Sequence, residues 1–393
     1  MHREPLPEDI CPRPAPLPPQ PGPPHANPLV LASVWECASP AAADAMLGGS
    51  LPGFVYQRDG HPNAAVLADS CRRLYGAEEA IITGTGMGAL AAALLAFLKC
   101  GDHAVIGGRI YGKTLSLFQR EASRLGIETT VVDTCDLAAT ANAFRPTTKL
   151  LLAETIANPL LEVADLTGLA KIAHDRGALF LVDNTFATPF VCRPFEFGAD
   201  LVMDSLTKMM NGHSDVILGL LCGRKSLWER VPAVVSTWGL AASPFPCWLA
   251  MRGLMTLAVR MEKACANARE VARYLEAQPA VKRVCYPGLD SAADHALARR
   301  QFTPGYFGSL VTFELAGGRA AADRFIEVAR DIPFCPSLGE LTTTLSHPET
   351  TSHRGLSAAE RAALGITGGT IRLSVGIESA DFIRHALATG LRG

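Results

Sequence analysis

Three short segments carry side chains that could do chemistry together. Lys208 lies in the polar segment DSLTKMMNGHSD (204–215), Asp183 ends the apolar run LFLVD, and the glycine-rich segment GTGMGA (84–89) follows the apolar run AIIT. A lysine amine forms a covalent Schiff base with a carbonyl carbon, a carboxylate holds a protonated ring nitrogen, and backbone amides at a helix start bind phosphate. Each segment follows an apolar run, so the three could meet at one edge of a sheet.

The glycine-rich segment has the spacing of a dinucleotide fingerprint at Gly84, Gly86 and Ala89. That fingerprint also requires an acidic residue after the next strand, where it holds a ribose. The chain has Gly107 and Gly108 at that place. We therefore expect no nicotinamide cofactor.

Pyridoxal phosphate needs an amine, a carboxylate and phosphate donors in one site. Lys208 supplies the amine, and Asp183 supplies the carboxylate that keeps the pyridinium nitrogen protonated. The phosphate donors would be hydroxyls beside the lysine and amides of the glycine-rich segment, namely Ser205, Thr207, Gly86 and Met87. The combination predicts a pyridoxal phosphate site.

The elements that must position these residues alternate between strand and helix patterns from about residue 64 to 255. Apolar runs predict seven strands, at 80–83, 104–106, 129–132, 150–153, 179–182, 201–203 and 216–221. Helical patterns lie between several of them, at 87–98, 114–125 and 166–174. The alternation indicates an α/β fold with a mostly parallel sheet covered by helices, and ligands bind at the carboxyl ends of such strands.

The pattern changes after an amphipathic stretch at 249–275. SLVTFEL (309–315) and TIRLSVGIE (370–378) alternate in strand fashion, which predicts a smaller α+β domain. The proline-rich residues 1–28 favour an extended arm, either a disordered leader or an arm laid over a neighbouring subunit. We therefore divide the chain into an arm and inter-subunit segment (1–63), a cofactor-binding α/β domain (64–255) and a C-terminal α+β domain (256–393).

From about residue 53 to the C-terminus, the chain resembles the Cys/Met-metabolism (trans-sulfuration) family of pyridoxal phosphate enzymes. The motifs that carry the resemblance appear in family order: YQRDGHPN, TGMGAL, IYGKT, ETIANPLLEVAD, VDNTFATP, SLTKMMNGHSD, SPF…RGLMTL, SLGE, HPETTSH and RLSVGIE. The family includes cystathionine γ-synthase, cystathionine γ-lyase, methionine γ-lyase and O-acetylhomoserine sulfhydrylase. The resemblance implies fold type I, the aspartate aminotransferase-like fold, with a large, mostly parallel seven-stranded sheet.

The resemblance also implies residue roles. Lys208 would be the Schiff-base lysine and proton shuttle, Asp183 would pair with the pyridinium, and Tyr111 would stack on the ring and act as acid or base. The residues implied to bind the substrate carboxylate or position the lysine are Asn158, Ser337 and Arg372. Structural roles are preferred for His213 and His347, and packing roles for Phe245 and Trp248.

In the family, the tyrosine and arginine of the YxR segment reach the phosphate of a neighbouring subunit. Tyr56 and Arg58 occupy those positions here. The resemblance therefore implies that two chains build each site, in a dimer at minimum and a homotetramer by analogy.

The predicted reaction is γ-elimination or γ-replacement on a sulphur-containing or homoserine-derived amino acid. After the substrate amine displaces Lys208, the lysine removes the Cα and Cβ protons, and Tyr111 protonates the leaving group at Cγ. Water or a thiol would then decide between lyase and synthase chemistry. Other pyridoxal phosphate chemistry (β-elimination or transamination) and a non-catalytic binding protein remain alternatives.

Two positions bear on the substrate. Many cystathionine-processing relatives place a glutamate just before SLG to meet the distal ammonium; this chain has Pro336, with Glu340 as a substitute carboxylate. Two residues after the stacking tyrosine, the chain has Lys113, which is either a solvated residue at a helix start or a substrate contact. A lysine that points into the site would favour an anionic far end, such as an O-succinyl or phosphate ester.

Composition excludes several classes of protein. The 36 basic and 38 acidic residues give a net charge of −2, without the basic excess that nucleic-acid binding requires. No run of about 18 apolar residues occurs, and the charged, proline-rich start does not resemble a signal peptide. We expect a cytoplasmic enzyme. The 11 cysteines, scattered without zinc-like spacing, are expected to be reduced thiols, and no metal site is expected.

Overall fold

A computed structural model describes Gly22 and residues 24–392. Most of the proline-rich arm thus lies outside the described residues. The strands are β1 Glu79–Thr83, β2 His103–Gly107, β3 Glu128–Val132, β4 Thr148–Glu154, β5 Leu179–Asp183, β6 Leu201–Asp204, β7 Gly219–Gly223, β8 Val281–Cys285, β9 Leu310–Leu315, β10 Thr344–Ser346 and β11 Thr370–Ser374. The α-helices are α1 Pro40–Leu47, α2 Pro62–Tyr75, α3 Gly86–Phe97, α4 Gly112–Ser116, α5 Ala122–Arg124, α6 Leu137–Asn142, α7 Leu166–His174, α8 Thr188–Val191, α9 Val231–Thr237, α10 Pro244–Leu254, α11 Leu257–Glu276, α12 His295–Gln301, α13 Gly318–Val328, α14 Ala358–Ala363 and α15 Ala380–Arg392.

The large sheet has seven strands in the order β1-β7-β6-β5-β4-β2-β3. The five strands from β2 to β6 pair in parallel, whereas β7 runs antiparallel to both of its neighbours. A second sheet, in the order β10-β11-β9-β8, is antiparallel throughout. The predicted α/β class, with a mostly parallel seven-stranded sheet and a smaller sheet after it, is confirmed.

Side chains of the central strands alternate between two apolar cores, because successive residues of a strand point to opposite faces. In β4, Leu150 and Leu152 belong to one core, and Leu151 and Ala153 belong to the other. Helices cover both faces, so these strands are apolar throughout. At their carboxyl ends, Glu154 of β4 is in register with Asp183 of β5, and the polar end residues therefore lie side by side.

The structure differs in detail from three predicted elements. The helical pattern at 114–125 forms α4, a π-helical turn Leu117–Glu121 and α5. The amphipathic stretch at 249–275 forms parts of two helices, α10 and α11, since the Gly253 carbonyl accepts bonds from Thr256 and Arg260 instead of continuing the helix. The seventh strand begins at Gly219 rather than at 216, because the backbone of Leu218 is bound to Thr207.

The described part of the N-terminal segment is hydrogen-bonded to helices α2 and α10. Asn63, near the start of α2, accepts a hydrogen bond from the Val30 amide and donates one to the Pro28 carbonyl. The indole of Trp248 on α10 donates to the Asn27 carbonyl at 2.9 Å. Within residues 24–392, no helix is both long and apolar enough to cross a bilayer.

Candidate active site

A cavity of about 280 Å³ opens where the carboxyl ends of the parallel strands meet residues of the second sheet. Ten of the thirteen predicted site residues line it: Gly86, Met87, Tyr111, Asn158, Asp183, Ser205, Thr207, Lys208, Ser337 and Arg372. They come from segments more than 280 positions apart in the chain. The fold therefore gathers these residues around one space large enough for a small ligand.

Lys208 lies in the turn that follows β6, and its Nζ donates to Ser337 Oγ at 3.1 Å. Burial lowers the pKa of the Lys208 amine, and the nearby Arg372 charge lowers it further, against an opposing effect of Glu340. An amine with a lowered pKa is more often neutral and therefore nucleophilic. Gly339 packs on this turn with φ +87°, and a Cβ there would lie 2.5 Å from the Met209 nitrogen. A side chain at Gly339 would therefore displace the lysine.

Asp183 ends β5 and presents its carboxyl group to the cavity. The backbone amide and hydroxyl of Thr185 donate to one carboxyl oxygen, Oδ1, at 3.0 and 2.6 Å. Burial raises the pKa of Asp183 to about 6, and the bonds from Thr185 oppose the rise. Among the described residues, no donor reaches Oδ2, so this oxygen is available to a protonated nitrogen of a ligand.

Glu154 is a site residue that the sequence analysis did not single out. It ends β4 in register with Asp183, and its Oε1 accepts the Tyr111 amide at 2.7 Å. Burial, then the neighbouring Asp183 charge, holds the pKa of Glu154 well above its usual range. We therefore assign the proton of this pair to Glu154, and Asp183 is the anion. The rule that found Asp183, a polar residue directly after an apolar strand, also applies to Glu154.

The start of α3 forms the opposite wall of the cavity. The Thr85 hydroxyl caps this helix by accepting the Gly88 amide at 2.8 Å, which leaves the amides of Gly86 and Met87 in the first turn without helical partners. A Cβ on Gly86 would lie 3.0 Å from Ser205 Oγ, so only glycine brings this backbone so near the serine. Thr207 also lines the cavity, and its hydroxyl donates to the Leu218 carbonyl and accepts the Leu218 amide.

Arg372 of β11 closes the cavity from the second sheet. Its NH1 donates to Asn158 Oδ1 at 2.7 Å, and its NH2 donates to the Ser337 carbonyl at 3.1 Å. Its Nε is buried without a partner among the described residues. Burial lowers the pKa of this guanidinium to about 10, so it remains a cation at neutral pH. A buried cation with a free donor is suited to binding a carboxylate.

Three predicted site residues do not line the cavity of this single chain. Tyr56 and Arg58 lie together on the surface, with the guanidinium carbon 5.2 Å from the tyrosine ring centre. Lys113 is exposed on α4, between the lining residues Tyr111 and Thr114.

Other polar and aromatic candidates also lie outside the cavity. Glu340 lines a separate small cavity behind the lysine turn. His213 bonds the Asn211 carbonyl, and both ring nitrogens of His347 are hydrogen-bonded, to Thr350 and to the Gly368 carbonyl. The Phe245 and Trp248 rings stack on each other, with centroids 6.4 Å apart.

The fold and the cavity together define a pyridoxal phosphate-dependent enzyme of fold type I. Residues 23–392 match the family described as Cys/Met metabolism PLP-dependent enzymes. The chain belongs to this family, and the predicted cofactor and enzyme class are confirmed. The predicted reaction type, γ-elimination or γ-replacement on a sulphur-containing or homoserine-derived amino acid, is confirmed with them.

Relatives in this family differ in their particular reactions. The chain is 40% identical to an O-succinylhomoserine sulfhydrylase of Pseudomonas aeruginosa, over 93% of this chain and 91% of the other. It is 39% identical to an L-methionine gamma-lyase of Fusobacterium nucleatum subsp. polymorphum, over 86% of each. A crystal structure of cystathionine gamma synthase from Xanthomonas oryzae pv. oryzae, in complex with aminoacrylate and cysteine, superposes with a TM-score of 0.88 at 36% identity, covering 93% of this chain and 92% of that one.

The residues around the cavity fit pyridoxal phosphate. Asp183 Oδ2 is free to hold a pyridinium proton, and the first-turn amides of α3 are free to hold a phosphate. Two of the lining residues also carry buried atoms without partners among the described residues, namely Arg372 Nε and Thr114 Oγ1. Such orphaned groups are uncommon in native proteins unless a ligand completes their hydrogen bonds.

Proposed function

We propose that this enzyme performs γ-replacement on a homoserine ester with an anionic distal end, such as O-succinylhomoserine, with a thiol or sulfide as the nucleophile. This proposal rests on the distribution of charge around the cavity. The only acidic residues among its described lining residues are Glu154 and Asp183, and both lie at strand ends. The wall at Pro336 offers no carboxylate to a distal ammonium group, and Glu340 faces another cavity.

Two exposed cations flank the cavity. Lys113 of α4 lies between the lining residues Tyr111 and Thr114, and Arg354 follows the lining residue Ser352 by two positions. The two segments touch, since a Cβ on Gly112 would lie 3.4 Å from the Ser352 carbonyl. One charge-assisted hydrogen bond to a distal carboxylate is worth about 1.5–3 kcal/mol, or about 10- to 100-fold in kcat/KM.

Each polar group then has a task in the reaction. Bound pyridoxal phosphate supplies an electron sink for a carbanion at the substrate Cα. Arg372 binds the substrate carboxylate, with its orientation fixed by Asn158. Lys208, whose amine bonds Ser337, would accept the Cα proton, release it to the electron sink, and then, neutral again, accept a Cβ proton. The Tyr111 phenol, which lines the cavity, donates a proton to the leaving oxygen at Cγ, while Asp183 keeps the ring nitrogen protonated.

The test is the ratio of kcat/KM for O-succinylhomoserine to that for O-acetylhomoserine, measured with sulfide or cysteine. We expect the wild type to prefer the succinyl ester, and Lys113→Ala and Arg354→Ala together to reduce the ratio by about tenfold or more. Lys149→Ala is the control, because Lys149 is exposed near the amino end of β4, at the opposite edge of the sheet. A ratio that the double variant leaves unchanged would contradict the proposal.

A second candidate is γ-elimination from methionine. It is favoured by the apolar part of the cavity wall, which includes Leu90, Ile217, Pro336 and Leu338. Release of a 2-oxo acid, ammonia and methanethiol from methionine, faster than thioether formation from any homoserine ester, would select it.

We also propose that the enzyme works in the cytoplasm as a homotetramer in which Tyr56 and Arg58 complete the site of a neighbouring copy. Support comes from their surface position in one chain and from large apolar side chains left exposed on α10 and at the start of α11, including Phe245 at 49% and Val259 at 65%. The division at 63 and 255 remains our proposal. It agrees with the two sheets, whose strands lie between residues 79 and 223 and between residues 281 and 374.

A further inference from the structure

Beneath the cavity lies a second set of polar side chains that the proposed reaction does not use. Thr155, Asn184, Asp204 and Tyr75 are each at most 1% exposed. Three of them directly follow residues that line the cavity: Thr155 follows Glu154, Asn184 follows Asp183 and Asp204 follows Met203. We call these four residues the buried polar chain.

One continuous run of hydrogen bonds joins the buried polar chain. Thr155 Oγ1 donates to Asn184 Oδ1 at 2.6 Å, and Asn184 Nδ2 donates to the Tyr75 hydroxyl oxygen at 3.2 Å. The Tyr75 hydroxyl donates in turn to Asp204 Oδ2 at 2.5 Å. The bonds therefore cross the carboxyl ends of β4, β5 and β6 and tie them to the last residue of α2.

These ends carry the groups assigned above to the cofactor. Asp183 immediately precedes Asn184, and Ser205 immediately follows Asp204. Backbone bonds between the strands reinforce the link, since the Asn184 amide donates to the Met203 carbonyl at 2.9 Å. A shift of Asn184 or Asp204 would thus move the pyridinium partner or the phosphate donor directly.

Asp204 is the unusual member of the buried polar chain. Its Oδ1 is buried and has no partner among residues 24–392. The titratable groups that face it are Tyr75 and Cys71 from α2, Asp183 from β5 and Cys222 from β7, and none of them is a cation. Burial first, and then the Asp183 charge, raises the pKa of Asp204 to about 7, against the bond from Tyr75.

We propose that the buried polar chain positions the cofactor site, and that Asp204 serves within it as the neutral acid. An ionised carboxylate with one unpartnered oxygen is expensive in this environment, whereas a protonated one accepts the tyrosine bond without a buried charge. Asp204 is thus a positioning residue. The proposal relies on the assignment of Asp183 and Ser205 to the cofactor under the proposed function.

The test compares Asp204→Asn, Asp204→Leu and Tyr75→Phe. The asparagine is neutral and can still accept the Tyr75 hydroxyl, whereas each of the other two variants breaks the run of bonds. The control is Tyr286→Phe, since Tyr286 is another buried tyrosine, but its hydroxyl donates to the Gly308 carbonyl in the C-terminal part of the chain. The main readout is the dissociation constant of pyridoxal phosphate, titrated into apoenzyme by absorbance.

We expect Asp204→Leu and Tyr75→Phe to weaken cofactor binding by about tenfold or more, and Asp204→Asn and Tyr286→Phe to change it by less than about threefold. If Asp204→Leu and Tyr75→Phe lower the unfolding temperature but leave cofactor affinity at the wild-type value, the residues are merely structural and the proposal is overturned. It is equally overturned if Asp204→Asn loses as much affinity as Asp204→Leu, because the charge would then be required.

The protonation state of Asp204 can be tested separately, from the unfolding temperature of the apoenzyme. A carboxyl whose folded pKa exceeds its unfolded pKa stabilises the protein at low pH and loses that contribution as the pH rises through the folded value. Asparagine does not titrate, so the Asp204→Asn variant does not lose this contribution as the pH rises. The unfolding temperature of the variant minus that of the wild type should therefore be larger at pH 8 than at pH 5. An equal difference at both pH values would show that Asp204 is already ionised. Neither readout depends on the substrate, so a wrong substrate proposal would leave both results intact.

Discussion

Replacement of Glu154 by alanine should impair the enzyme by displacing Tyr111. Glu154 is a buried residue of the cavity wall, and its Oε1 is the acceptor for the Tyr111 amide at 2.7 Å. Alanine leaves that partly buried amide without its acceptor. Since Tyr111 begins the segment that leads into α4, its backbone would shift to find another partner, and the phenol would move with it.

The size of the effect follows from the bond that is lost. A buried donor left without an acceptor costs about 1–3 kcal/mol, and each 1.36 kcal/mol is about tenfold. If the whole cost falls on the transition state, kcat/KM falls by about 5- to 150-fold. Glu154→Gln keeps an acceptor oxygen and is neutral. Because we assign the pair's proton to Glu154, the glutamine variant should lie within about threefold of the wild type.

The assay is kcat/KM for γ-replacement, measured from pH 6 to 9, together with the unfolding temperature. Asp102→Ala is a matched control, because Asp102 is a nearly buried carboxylate that accepts one backbone amide, that of Lys99, at the amino edge of the sheet. It should lower the unfolding temperature and leave kcat/KM unchanged. The reasoning is refuted if Glu154→Ala is as active as the wild type, or if Glu154→Gln loses as much activity as Glu154→Ala.

Three further predictions concern other parts of the site. Arg372→Lys should raise KM by at least about tenfold with a smaller change in kcat, because the single nitrogen of an ammonium lacks the planar fork with which NH1 and NH2 reach Asn158 and the Ser337 carbonyl and a guanidinium binds a carboxylate; an unchanged KM in steady-state kinetics would contradict this. Gly339→Ala should weaken cofactor binding in an absorbance titration, since its Cβ would lie 2.5 Å from the Met209 nitrogen at a φ of +87°, and wild-type affinity would argue against that contact. In mixed oligomers of Arg58→Ala and Lys208→Ala chains, each inactive alone, activity should return, because some sites then combine intact residues from both; no activity in verified mixed oligomers would count against sites shared between subunits.

Much of the fold, and the positions of the carboxylate and the lysine expected to bind the cofactor, could be predicted from strand patterns. The runs around Leu150–Leu152 and Leu179–Val182 are apolar at every position, which indicates strands covered on both faces. The rule that ligands bind at carboxyl ends of strands then led to Asp183 and to the segment around Lys208. These features depend on residues that are close together in the sequence, so a sequence pattern can predict them.

The remaining features depend on distant parts of the chain. The start of β7 was displaced because Thr207, eleven positions earlier, takes the backbone bonds of Leu218. Tyr75 lies in an ordinary helical pattern, and only the folded chain places its hydroxyl 2.5 Å from Asp204. Likewise, Pro336 and Glu340 are four positions apart but face different cavities, because Gly339 turns the backbone between them.

The central claim is that Lys208 carries pyridoxal phosphate in the cavity at the strand ends. Borohydride reduction of the holoenzyme, followed by proteolysis and mass spectrometry, tests it most directly, because the reduction fixes the cofactor to the amine that holds it. We predict a pyridoxyl phosphate group on Lys208 alone, and no stoichiometric labelling in Lys208→Ala. Labelling of a different lysine, or an unlabelled Lys208 in active enzyme, would contradict the account.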